Sequence, residues 1–126
     1  MNASFLPAKE RRRLQQGFLA AADMDACQQV RSKADICRQL EEAKAVGLDH
    51  VELDGGIPNP FLDLSHKEFS SARSHALRLG ITLSFHVPCT FVAASTASCQ
   101  EADRKLAVGL IKEYIIAAEQ LGCINI

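Results

Sequence analysis

Three stretches of this chain carry the same punctuation at the same interval. Ser32-Lys33-Ala34-Asp35, Ser65-His66-Lys67-Glu68 and Ser98-Cys99-Gln100-Glu101 each set a serine three residues before an acid, and the serines recur at 32, 65 and 98. This is the pattern of a capping box: the serine oxygen accepts from an orphan helix N–H and the acid reaches back to the first backbone donor. Gly47, Gly80 and Gly122 close the three stretches, each supplying the residue that most readily turns left-handed after a helix. The apolar positions in between follow helical spacing. The first stretch sets Ile36, Leu40 and Ala43 on one face, the second Phe69, Ala72, Ala76 and Leu79. The third sets Ala102, Leu106, Leu110, Ala117 and Leu121 there, with Val108, Ile111, Ile115 and Ile116 broadening the stripe.

A short apolar segment follows each closing glycine: Leu48–Leu53, Ile81–Pro88 and Cys123–Ile126. The first two are rich in strand formers and the second alternates clearly. Each period therefore carries one helix and one strand. The interval also suits ankyrin repeats, but their Thr-Pro-Leu-His turn is absent. Alternating helices and strands predict a parallel sheet with crossover helices. Before residue 32, Gly17–Ala22 is the one candidate strand, and it is alanine-rich. Residues 1–31 are thus read as an N-terminal segment with a helix over Ala8–Gln16, whose Arg11-Arg12-Arg13 triplet is a solvated face.

Composition narrows the function classes. With 48% hydrophobic residues the chain can bury a core, which excludes a disordered protein. Fourteen Lys+Arg against fifteen Asp+Glu leave no basic field for nucleic acid. No apolar run is long enough for a membrane span, and Gly17–Ala22 is too short for a secretory core. Five cysteines (27, 37, 89, 99 and 123), an odd number without CxxC spacing, read as the reduced thiols of a cytoplasmic protein. Cys89 stands out only for its loop position.

In βα units, ligands bind at the C-terminal ends of the strands. Two long loops fall there, Asp54–Phe61 and Val87–Ala97, whereas the helix-to-strand turns are little more than one glycine. The polar residues at those strand ends are Glu52, Asp54 and His86. A neutral His86 imidazole can bind a divalent metal or a substrate hydroxyl, or be satisfied by a backbone carbonyl. Glu52 faces away from Val51 and Leu53, either to orient a hydroxyl or to pair with a helix. Asp54 shares its side, or simply opens the Gly55-Gly56 turn. His50, His66 and His75 carry little signal: the first falls at the opposite end of its strand, the others on the wet side of a helix. Gly55-Gly56 lacks the context of a phosphate loop.

These residues resemble a known family. Gly47-Leu48-Asp49-His50-Val51-Glu52-Leu53 is similar to the second strand of the xylose isomerase-like TIM barrels, and Leu79–Pro88, with Ser84-Phe85-His86-Val87-Pro88, to their third. Ala118–Ile126 is similar to the entry into the fourth. The resemblance spans residues 32–126. It implies an α/β fold that is a partial (β/α)8 TIM barrel, the N-terminal half with about three and a half βα units of parallel strands, ending in strand 4. A complete barrel takes about 250 residues.

The resemblance implies a sugar or sugar-phosphate isomerase or epimerase using zinc, manganese or magnesium, which polarises a carbonyl while carboxylates move a proton. Glu52, Asp54 and His86 would then face substrate, and His86 is the candidate metal ligand. The later strands that carry most of the family's Glu, Asp and His ligands have no counterpart here. The isolated chain is therefore expected to hold the metal poorly and to lack turnover. Two other readings stay open. One is a piece of an endonuclease IV-like abasic-site nuclease, against which the missing basic surplus counts. The other is a non-catalytic half-barrel that assembles with a partner or with itself through open sheet edges.

Overall fold

In a computed structural model, residues 6–17, 31–56, 61–88 and 95–126 are described. They form helix α1 (Ala8–Gln15), helix α2 (Ile36–Ala45), strand β1 (His50–Asp54), a 3-10 turn (Phe61–Asp63), helix α3 (His66–Leu79), strand β2 (Thr82–His86) and helix α4 (Glu101–Leu121). Residues 31–34 make a further helical turn before α2. Among the described residues no helix is long and apolar enough to cross a membrane.

The three expected capping boxes come out differently, for local reasons. Ser65 and Glu68 make the full reciprocal box at α3, and the hydrogen bonds from Ser65 hold the Glu68 carboxyl below its ordinary range. At α2 the cap is Asp35, which accepts from the Arg38 N–H, because residues 31–34 already take up a turn of their own. Ser98 instead accepts from the Gln100 N–H and donates to Asp103, so α4 starts without a side-chain cap. All three closing glycines have positive φ, from 64° at Gly80 to 84° at Gly47.

β1 and β2 pair in parallel, with His50 opposite Thr82 and Asp54 opposite His86. Alternation then sorts the sheet into two unlike faces. Leu53, Leu83 and Phe85 point into a core with Ile36 and Leu40 of α2, Phe69, Ala72 and Ala76 of α3, and Tyr114, Ala117, Ala118 and Leu121 of α4. The Phe85 ring stands edge-on to Phe61 at 5.1 Å and tilted to Tyr114 at 5.8 Å between centroids. The other face carries His50, Glu52 and Asp54 beside Thr82, Ser84 and His86, with no apolar side chain among them.

The expectation of a partial (β/α)8 barrel with three and a half units is corrected. The described residues make a small α/β domain with one two-stranded parallel sheet. The segment after Gly122 adds a single bridge, Asn125 to Ser84, formed by the Ile124 N–H to Leu83 O and Phe85 N–H to Asn125 O bonds. Most of the Gly17–Ala22 candidate strand lies outside the described residues, as do Cys27 and Cys89. Two strands and one bridge close no ring of hydrogen bonds.

Helix α4 also departs from its expected face. Ala107, Tyr114, Ala117, Ala118 and Leu121 are its buried residues, with Leu110 and Ile111 packed against the core. Ala102 and Leu106 are exposed, as are Val108, Ile115 and Ile116. Val108 and Ile115, seven residues apart, lie on one line along the helix and Ile116 about 100° round from Ile115, so α4 is apolar on two sides.

Candidate functional site

The register brings two of the three expected site residues together. Glu52 and His86 lie on the polar sheet face near its C-terminal edge, with Glu52 Oε1 3.4 Å from His86 Nδ1. Both side chains stay at least half exposed, so the pair is open to a solute from that face. An exposed carboxylate–imidazole contact of this kind adds little to stability, so its interest is chemical. With Nδ1 turned to the carboxylate, Nε2 is left to meet a ligand.

Asp54 sits opposite His86 in the ladder but is tied elsewhere. Its Oδ1 accepts from the Gly56 N–H at 2.7 Å, and its Oδ2 lies 3.0 Å from Lys33 Nζ. Both earlier readings of Asp54 thus hold in part: it shares the Glu52 side of the strand, and it anchors the glycine turn. Gly55 joins the two strand ends through its N–H, 2.8 Å from the His86 carbonyl oxygen.

Lys33 is the residue that sequence reasoning passed over. It reads as filler between Ser32 and Asp35, yet it is 5% exposed and places Nζ 2.6 Å from the Gly56 carbonyl oxygen as well as beside Asp54. A lysine is rarely so buried unless its charge is paired.

Burial alone would raise the Asp54 carboxyl. The Gly56 hydrogen bond and the Lys33 ammonium, with a smaller contribution from His86, outweigh it and hold the group below the ordinary range of an aspartate. A carboxyl lowered by folding stabilises the fold above its unfolded pKa, and that stabilisation is lost as pH falls through the lower folded value. Urea melts of the wild type and Asp54→Asn are therefore expected to differ most above the range of a free carboxyl. The difference should shrink steadily in more acidic buffer.

The remaining histidines separate. His66 is exposed, as expected. His75 is not on a wet face: Arg78 donates to its Nδ1 at 2.6 Å, and its Nε2 lies 3.2 Å from Glu41 Oε1, linking α3 to α2. His50 bonds to two hydroxyls across the sheet. Cys37 and Cys123 are half-buried and Cys99 exposed; burial pushes the Cys123 thiol up to about 11, which makes it a poor nucleophile.

The donor set does not fit a metal by itself. A catalytic zinc site takes three protein ligands. Glu52 and His86 offer two, Asp54 is engaged by Lys33, and no group of three metal-ligating side chains occurs among the described residues. A cavity of about 220 Å³ lies apart from the pair, between the 3-10 turn, α3 and α4, lined by Phe61, Phe69 and Ile116 with His66 and Glu113. No family model, curated protein or solved structure matches the chain.

Proposed function

We propose that the C-terminal edge of the β1–β2 sheet contributes to a binding site for a sugar or sugar phosphate, of the kind used by isomerases and epimerases. The carboxylate–imidazole pair of Glu52 and His86 carries this reading. A carboxylate accepts from a substrate hydroxyl, and a neutral imidazole held at Nδ1 offers Nε2 to a second oxygen or to a proton in transfer. The resemblance of Gly47–Leu53 and Leu79–Pro88 to xylose isomerase-like strands supports the same substrate class. Lys33 and Asp54 keep the adjoining turn in place but have no free charge to offer a ligand. No step through a metal follows from two donors.

The test is a ligand titration followed by backbone and histidine NMR. Pentose and hexose phosphates at millimolar concentration are expected to shift the Glu52, Gly55 and His86 signals, and Glu52→Gln and His86→Gln should each remove the response. Shifts confined to other parts of the chain, or unchanged in both variants, would count against the proposal.

A further inference from the structure

The polar sheet face holds a second hydrogen-bonded group, built from residues that the strand-end site does not use. His50 Nδ1 lies 2.8 Å from Thr82 Oγ1, and His50 Nε2 lies 3.0 Å from Ser84 Oγ. Thr82 offers one direction for the protons to run. Its hydroxyl donates to the Asp49 carbonyl oxygen at 3.2 Å, so toward His50 it accepts. In that arrangement Nδ1 carries the ring proton. In a neutral imidazole Nε2 is then an acceptor, and the hydrogen that lies between it and Ser84 belongs to the serine. The order is Ser84 O–H to Nε2, Nδ1–H to Thr82, and Thr82 O–H to Asp49 O. A hydroxyl facing a base, with the base fixed from behind by a third group, is the arrangement that activates a serine nucleophile.

We propose that Ser84 and His50 form a nucleophile–base pair that accepts acyl groups from carboxylic esters. Ser84 Oγ bonds to the ester carbonyl carbon and its proton passes to His50 Nε2. The alcohol then leaves as the acyl C–O bond breaks, taking that proton with it. In the second half, water attacks the acyl carbon and gives a proton to Nε2. Ser84 Oγ departs and recovers that proton from His50. Thr82 holds the imidazolium through Nδ1 in both halves. A neighbouring position bears on the choice of ester. Glu52, paired with Ser84 on the β1 side, disfavours anionic esters, so the substrate is neutral or cationic.

Ser84 is only 6% exposed, which calls for a small probe. The full chain is treated with diisopropyl fluorophosphate, a neutral electrophile from which Ser84 Oγ displaces fluoride while its proton goes to His50. The adduct is then located by peptide mass spectrometry. Ser84 is expected to be the serine modified, at least about 100-fold faster than in His50→Gln, with Thr82→Val intermediate and Ser84→Ala unmodified there. Labelling spread over exposed serines, or equal rates in folded His50→Gln, overturns the pair. Should His50→Gln fail to fold, nitrogen NMR of the wild-type ring decides: the Nδ1–H tautomer supports the proposal and the Nε2–H tautomer overturns it. Neither outcome bears on Glu52 and His86, so failure here is distinct from failure at the strand-end site.

Discussion

Phe85→Ala is expected to lower the urea midpoint of unfolding more than any other single truncation in the sheet. Phe85 is 2% exposed and sits where all the layers meet, with Phe61 edge-on at one side and Tyr114 tilted at another. Removing a buried phenylalanine costs about 3–5 kcal/mol, against a total stability of about 5–15 kcal/mol for a typical domain. Here the cavity cannot be filled by a small shift, because Phe61 belongs to a short 3-10 turn and Tyr114 to a long helix. Far-UV circular dichroism in a urea series checks this. A variant with an unchanged midpoint would mean that the sheet and α4 do not share one core. Phe85→Leu should keep the fold at a lower midpoint, since most of the volume remains.

Gly55→Ala is the second large effect and has the opposite physical origin. A Cβ on Gly55 would lie 2.4 Å from the His86 carbonyl oxygen and 2.9 Å from a Phe85 ring carbon. Neither is the free end of a flexible side chain, so the two strand ends must part. Overpacking against such neighbours costs about 1–3 kcal/mol or more, and here it also breaks the Gly55 N–H bond to His86. The expected result is a lower urea midpoint together with lost amide protection at Asp54, Gly55 and His86. Gly109, which meets nothing within 4 Å, is the control: alanine there should be neutral or stabilising. Equal effects at the two glycines would refute the close approach.

Local features were legible in the sequence to the extent that their causes are local. Helical spacing found the buried faces of α2 and α3, since Ile36, Leu40, Phe69, Ala72 and Ala76 all reach the core. Alternation put Glu52 and Asp54 on the face away from Leu53. The same reasoning failed on α4, where apolar residues occur all round and spacing cannot say which side meets the sheet. Leu106 and Ala107 exchanged places for that reason. The expectation of a partial barrel with three and a half βα units is where sequence and structure part most. It extended a repeat of helices and strands to a global arrangement that depends on strand pairing, and pairing is decided by partners far along the chain. Lys33 and His50 were missed for a related cause. Lys33 meets Gly56, while His50 meets Thr82 and Ser84, all more than twenty residues away, and no motif marks those distances.

The two-sided helix α4 has a further consequence. Its inner row stabilises the fold in the ordinary way, but Val108, Ile115 and Ile116 gain nothing while they face water. A layer that covered those residues would bind the folded chain and not the unfolded one, so its free concentration would enter the folding equilibrium directly. The thermal midpoint would then be a property of the solution as well as of the sequence, with meaning only beside the concentration at which it was taken.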